Sequence, residues 1–157
     1  MLHALVLASA VAQGRAFLHD FAGTWTCGNA RYHETWRVGA HAGPNVPGVT
    51  IADVAYGDAS HPDGRAFVYY EPSERAYHYD DFHADGSQSH LTSPPPQHGT
   101  WTWTGTYDPI GKAPDHTVDV TWALLPNGTI ARRFAQRIGG NVIVRGSDRC
   151  TRTGATP

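Results

Sequence analysis

The sequence has little charge, two cysteines and no long apolar segment, and each scarcity excludes a class of protein. Charged residues make up 17% of the 157 residues and the formal net charge is −2. The arginines are scattered along the chain, without the basic cluster that a nucleic-acid or acidic-membrane interface requires. No run approaches the about 20 apolar residues of a transmembrane helix. We therefore expect one domain, with no nucleic-acid partner and no transmembrane segment.

The two cysteines, Cys27 and Cys150, lie near opposite ends of the chain. This spacing excludes a C-x-x-C metal site. A catalytic thiol beside a histidine remains an alternative interpretation. An even pair of cysteines in an exported protein is more simply interpreted as a disulfide.

Export is expected from the cysteine pair together with residues 1–13, MLHALVLASAVAQ. Their short apolar run and A-x-A pattern resemble the second half of a secretory signal, and the alternative is a helix lying across the fold. We predict a signal-like segment at 1–13, a domain at 14–157, and a secreted or periplasmic location.

Large apolar and polar residues alternate along most of the chain after residue 20, which is the period of β-strands rather than of helices. Turn signals separate the alternating runs, and Pro126-Asn127-Gly128 is the strongest of them. The pattern predicts an all-β chain of about ten antiparallel strands after a short helical turn at 14–20. Such a meander most simply closes into an up-and-down barrel, because closure removes exposed edges. Closure also makes Cys27 and Cys150 neighbours.

The first predicted strand contains Gly23-Thr24-Trp25 directly after the helical turn. This G-x-W motif in an all-β chain resembles that of lipocalins and the wider calycin group. The strand pattern over residues 17–153 is also similar to that of fatty-acid-binding barrels, nitrobindin-like barrels and bacterial lipocalin-like domains of unassigned function. The lipocalin resemblance implies that Trp25 plugs the closed end and stacks on a basic residue of the last strand, with Arg145 or Arg149 as the candidate.

The resemblance to nitrobindin-like proteins implies a haem held by a histidine of a late strand. No histidine follows His116 in this sequence, so that ligand position is not filled and only His116 or His78 could replace it. We expect no cofactor.

The sequence holds ten histidines, which raises the question of a metal site. His33 and Glu34 are adjacent on a predicted strand and point in opposite directions. Four other histidines lie in strand ends and loops without the spacing that places two ligands on one face: His78, His83, His90 and His98. We interpret them as surface residues and predict no metal site.

Catalytic residues are not assigned, since no G-x-S-x-G elbow is present. The inward faces of the predicted strands instead collect aromatic side chains and two ionisable groups. This composition is typical of a ligand pocket, and a filled core in which Glu34 and Arg132 neutralise each other is the equal alternative. With a ligand present, Arg132 would meet a carboxylate or phenolate. The candidate ligand-binding residues are Glu34, Trp36, Tyr69, Tyr79, Trp103, Tyr107, Trp122, Arg132 and Phe134.

Two strands have an ambiguous face, because a slip of one residue exchanges Tyr69 for Tyr70 or Tyr79 for His78. With His78 inward, a general acid or base would stand beside Glu34. The expected function is an extracytoplasmic protein that binds a small hydrophobic or aromatic molecule in the barrel. The alternatives are an isomerase- or cyclase-type enzyme that uses Glu34, Arg132 and a histidine, and a filled barrel that acts as an interaction module.

Overall fold

The computed structural model describes residues 18–28, 32–41, 49–57, 64–109 and 116–154. The signal-like segment at 1–13 and the first part of the predicted helical turn lie outside these residues. A helical turn at 18–21 precedes the first strand, and no helix in the described part of the chain is long and apolar enough to cross a membrane.

The described residues form ten antiparallel strands in one closed barrel, as the alternation predicted. Each strand pairs with the next in sequence, and the first pairs with the last. The strands are β1 (Gly23–Cys27), β2 (Tyr32–His41), β3 (Val49–Gly57), β4 (Gly64–Glu71), β5 (Ala76–His83), β6 (Gln88–Ser93), β7 (Thr100–Asp108), β8 (His116–Leu124), β9 (Ile130–Ile138) and β10 (Asn141–Arg152).

A disulfide joins β1 to β10 and thereby ties the two ends of the domain together. Cys27 and Cys150 are directly opposite in the β1–β10 register. Their sulfur atoms are 2.12 Å apart and their Cα atoms 4.0 Å apart, within the limit of about 7 Å for a disulfide. The predicted pairing is confirmed, and the thiol alternative is excluded because both sulfurs are bonded.

Aromatic side chains fill one end of the barrel, which we call the plugged end. Phe21 from the helical turn is fully buried, and its ring centroid lies 5.3 Å from that of Trp36 and 5.2 Å from that of Trp101. Trp25 is also fully buried, and its Nε1 donates a hydrogen bond to the Phe21 carbonyl at 2.7 Å. Trp25 therefore belongs to the plug, where its indole nitrogen has a hydrogen-bond partner.

The arginine that stacks on Trp25 is Arg152, and neither Arg145 nor Arg149 takes this position. The Arg152 guanidinium carbon lies 4.7 Å from the centroid of the Trp25 ring, a cation–π contact. Arg152 is opposite Trp25 in the β1–β10 register. Side chains alternate along a strand, and Cys150 faces inward, so the odd-numbered arginines of β10 face outward.

Candidate functional site

The end of the barrel opposite the plug is less completely buried. We call this end the mouth; there β7 and β9 end, and β8 and β10 begin. Phe134 follows Arg132 by two residues on β9, and Arg132 reaches inward to Glu34, so the position of Phe134 also faces inward. Phe134 is nevertheless 41% exposed. Opposite it on β8, Val120 is only partly buried. The packing is therefore complete at the plugged end and incomplete around Phe134.

The ring of Phe134 lies over a glycine on the neighbouring strand. Gly146 is opposite Phe134 in the β9–β10 register. A Cβ atom on Gly146 would lie 2.2 Å from Cζ of Phe134, so any larger residue would displace the ring. Because Gly146 has no side chain, one side of the Phe134 ring packs against the barrel wall. The other side of the ring faces the interior.

Four tryptophan and tyrosine rings, which we call the aromatic floor, pack against one another in the barrel interior. The Tyr79 ring centroid lies 5.8 Å from that of Trp103 and 5.4 Å from that of Trp122. Trp122 in turn lies 5.6 Å from Trp36 in an edge-on arrangement. These four rings were all predicted to line the interior, and the structure brings them together at separations typical of aromatic pairs.

Three charged side chains form a cluster on the inner wall. Glu34 is 6% exposed and accepts a hydrogen bond from Trp36 Nε1 at 3.0 Å and another from Arg132. Arg132 also makes a two-pronged contact with Asp148, through Nε at 2.7 Å and Nη2 at 2.6 Å. The guanidinium is therefore held by two carboxylates. This arrangement counts against the expectation that Arg132 receives a carboxylate or phenolate of a ligand.

A second polar cluster, Tyr56, Asp81 and His83, lies near the mouth. The Tyr56 hydroxyl donates to Asp81 Oδ1, while His83 Nε2 lies 3.1 Å from Asp81 Oδ2 and His83 Nδ1 lies 3.2 Å from Tyr56 Oη. Asp81 is 7% exposed. Gly64 makes room for the phenol, since a Cβ atom there would lie 2.4 Å from Tyr56 Oη. Sequence reasoning missed this cluster, although Asp81 and His83 share the face of Tyr79.

The hydrogen bond that His83 donates to Asp81 raises the pKa of His83 above its ordinary value, and burial opposes this only in part. In the protonated imidazole both ring nitrogens carry protons, one facing Asp81 and the other Tyr56. The contribution of His83 to stability is complete below the unfolded-state pKa of about 6.5. It is lost as the pH rises through the higher folded-state pKa.

Replacement of His83 by glutamine is therefore expected to destabilise the protein more at pH 5.5 than at pH 8.5. Urea unfolding of both proteins at the two pH values measures this difference, and the other titrating groups cancel because both proteins share them. A difference in free energy of unfolding that stays constant with pH would show that the His83 cation makes no contribution.

Tyr107 stands between two histidines at the mouth. Its ring centroid lies 6.4 Å from that of His83 and 5.9 Å from that of His116. Gln136 Nε2 donates to His116 Nδ1 at 2.6 Å. The predicted lining residue Tyr107 thus lies beside two imidazoles at the mouth and not within the aromatic floor.

Tyr69 lies on the outer face, contrary to the prediction. Its ring stacks on that of His78 at 5.2 Å, and its hydroxyl donates to Asp80 at 3.0 Å. Burial, followed by this hydrogen bond, raises the pKa of Tyr69 to about 12. Tyr70 and the fully buried Tyr77 occupy the inner positions instead. The sequence Phe-Val-Tyr-Tyr has an aromatic residue in either register, so its alternation does not decide the face.

A shallow groove of about 340 Å³ lies over β8–β10 and is lined mainly by outward-facing residues, among them Arg133, Ala135 and Arg145. Phe134 and Gly146 also line it, so part of the exposed surface of Phe134 belongs to this groove. Arg137 is also on the outer face, where it contacts Asp119. Arginines that are scattered along the sequence are therefore partly gathered in space.

One trio of described residues has ligand atoms close enough to hold a metal ion: Cys27, Glu34 and Cys150 lie within 4.8 Å of one another. Both sulfurs are consumed by the disulfide. Because metal binding by cysteine requires the thiolate, the trio is not a metal centre in the oxidised protein.

Comparison with protein-family models and with curated proteins finds no match for this chain. The assignment of function therefore rests on the geometry of the barrel interior.

Proposed function

We propose that this chain is a lipocalin-like protein that binds a small hydrophobic or aromatic molecule inside its barrel. The observation that carries the proposal is the inward-facing Phe134, which is 41% exposed above an aromatic floor. A site that is closed at one end and lined by aromatic rings with a few polar groups is the usual form of a small-molecule pocket. The G-x-W tryptophan at the plug, stacked by Arg152, supports the resemblance to the calycin group.

The disulfide supports an extracytoplasmic location. Stable structural disulfides form in oxidising compartments and are rare in the cytosol. The bond between Cys27 and Cys150 closes the barrel, so the compartment in which this chain folds must allow it to form. A secreted or periplasmic binding protein meets this requirement.

The interior charges favour a neutral or cationic ligand over an anionic one. Glu34 and Asp148 share the single guanidinium of Arg132, which leaves one negative charge in excess. Asp81 is balanced by His83 only while the imidazole is protonated. An anion entering this space would meet net negative charge in an environment that screens it less than bulk water does.

A buried donor suggests that the ligand also carries a hydrogen-bond acceptor. Trp103 Nε1 is buried and has no hydrogen-bond partner among the described residues. Buried polar groups are normally paired, and an unpaired one calls for a specific explanation. A carbonyl, ether or hydroxyl oxygen of a bound molecule would satisfy this group.

The binding proposal is favoured over the enzyme alternative by the partners of Glu34. Its carboxylate contacts Trp36 and Arg132. The enzyme alternative needs an inward-facing histidine beside Glu34, and His78 lies on the outer face. A general base needs hydrogen-bond reach to its substrate, and this carboxylate is already occupied by two donors. The 41% exposure of Phe134 at an inward-facing position favours an open interior over the filled barrel.

We expect the neutral fluorophore N-phenyl-1-naphthylamine to bind the barrel and to quench its tryptophan fluorescence. Phe134→Ala should weaken this binding about five- to tenfold, because it removes a stacking surface worth about 1–1.5 kcal/mol. Phe82→Ala is the matched control, since Phe82 is 49% exposed on the outer face. Anilinonaphthalene sulfonate has the same aromatic skeleton with an added anionic group and should bind more weakly.

Equal loss of affinity in Phe134→Ala and Phe82→Ala would place the fluorophore outside the barrel and overturn the proposal. Tighter binding of the sulfonate would overturn the inferred ligand charge alone. Native mass spectrometry of the protein purified from its own host would then identify the physiological ligand as an added mass.

A further inference from the structure

Pairing of β5 with β6 gathers two histidines and a carboxylate on the outer face of the barrel. Asp80 lies opposite His90 in the β5–β6 register, and His78 lies two residues before Asp80 on the same face of β5. The ring centroids of His78 and His90 are 5.6 Å apart. The sequence did not show this arrangement, because the two histidines lie on different strands.

His78 is buried, and neither of its ring nitrogens forms a hydrogen bond. The residue is 6% exposed, and its Nε2 lies 3.0 Å from Glu74 Oε2. Neither Nδ1 nor Nε2 has a hydrogen-bond partner among the described residues. A buried nitrogen without a partner, beside a second imidazole, is a feature that a bound cation would explain.

His90 is oriented in a way that leaves its other nitrogen available. Its Nδ1 contacts Asp80 Oδ1, and Asp80 in turn accepts a hydrogen bond from Tyr69 at 3.0 Å. Metal-binding histidines usually donate their second ring N–H to a carboxylate, which fixes the tautomer and the ring orientation. Asp80 can do this for His90.

The separation of the two rings matches a shared metal ion. With metal–nitrogen distances of about 2.0–2.1 Å and near-tetrahedral angles, two imidazole centroids on one ion lie about 5 Å apart. The observed 5.6 Å is close to that value. The side chain of His90 is 57% exposed, so an ion can approach from solvent on that side.

We propose that a ring nitrogen of His78 and His90 Nε2 bind a divalent transition-metal ion on the outer face of β5 and β6. Asp80 orients the ring of His90, and water completes the coordination. Imidazole ligands without a thiolate suit Cu²⁺, Ni²⁺ and Zn²⁺, and the general order of affinity places Cu²⁺ above Zn²⁺. Mg²⁺ prefers oxygen ligands and is not expected to bind.

The test is titration of the untagged, disulfide-bonded full chain with Cu²⁺, followed by calorimetry and electron paramagnetic resonance. Every protein used should carry His3→Ala, because an N-terminal Met1-Leu2-His3 segment could itself chelate Cu²⁺. We expect one ion per chain, with nitrogen hyperfine structure from two imidazoles. His90→Ala should weaken binding more than tenfold and remove one nitrogen from the spectrum. Asp80→Asn should weaken it about ten- to hundredfold.

His33→Ala is the matched control, because His33 is an exposed strand histidine with its own partner, Thr26. Unchanged Cu²⁺ binding in His90→Ala would overturn the site. An equal loss in His33→Ala would overturn it as well, by showing that surface histidines bind the ion without a defined site. The exposed position of His90 keeps its variant folded, so the result does not depend on the buried His78.

Discussion

Replacement of Cys27 and Cys150 together by alanine is expected to lower the free energy of unfolding by about 4–5 kcal/mol. The two residues are separated by 123 positions, and in the chain-entropy model a bond across so long a loop restricts the unfolded chain strongly. The bond also joins the first strand to the last, which is the contact that closes the barrel. A loss of this size should lower Tm by about 10 °C or more for a protein of this length.

Urea unfolding and thermal melts of the two proteins measure the effect of the disulfide. Reduction of the wild-type protein should reproduce the loss, whereas the double-alanine variant should not respond to a reducing agent. A wild-type protein whose stability is unchanged by full reduction would contradict the role assigned to the disulfide, because it would show that β1 and β10 stay paired without it.

Arg132→Met is expected to destabilise the protein by about 3–5 kcal/mol, because it leaves two carboxylates on the inner wall without a positive partner. The side chains of Glu34, Arg132 and Asp148 are 8%, 15% and 24% exposed. Removing one member of a buried ion pair leaves an uncompensated charge, and that charge costs more than the pair contributes. Chemical unfolding at pH 7 measures the difference.

Arg133→Met serves as the control, since Arg133 is the next residue on β9 and lies exposed on the outer face. Its replacement should change stability by about 0.5 kcal/mol or less. Adding Glu34→Gln and Asp148→Asn to Arg132→Met should restore most of the lost stability, because no charge is then left unpaired. A triple variant as unstable as Arg132→Met alone would show that packing, and not charge, accounts for the loss.

The same triple variant bears on the proposed ligand preference. With the inner-wall carboxylates neutralised, the discrimination between N-phenyl-1-naphthylamine and its sulfonate relative should shrink. We thus expect one cluster of charges to affect both stability and the proposed ligand preference, and binding of the two fluorophores to the variant measures the second effect separately from the first. If the triple variant still binds the sulfonate more weakly than N-phenyl-1-naphthylamine, the inner-wall carboxylates are not the cause of the preference. Asp81 and His83 would then be the next residues to test.

The sequence by itself determined the fold class, the number of strands, the closure and the disulfide. Alternation with period two and short turns leave few arrangements for such a chain, and closure is the simplest one that leaves no exposed edge. The aromatic floor was also predictable, because Trp103 and Trp122 stand in strands with one clearly apolar face. For the same reason Glu34 and Arg132 could be placed on the inner wall.

Only the tertiary structure decided which residues face each other across strands. Arg152 rather than Arg145 or Arg149 lies on Trp25, because the register between β1 and β10 is set by long-range pairing. The sequence could not place Tyr69, because its strand has an aromatic residue on the inner face in either register. The pairing of β4 with its neighbours turns Tyr69 outward. The Tyr56, Asp81 and His83 cluster, the capture of Arg132 by Asp148 and the approach of His78 to His90 share this cause. Each depends on contacts between strands, and spacing along one strand carries no information about them.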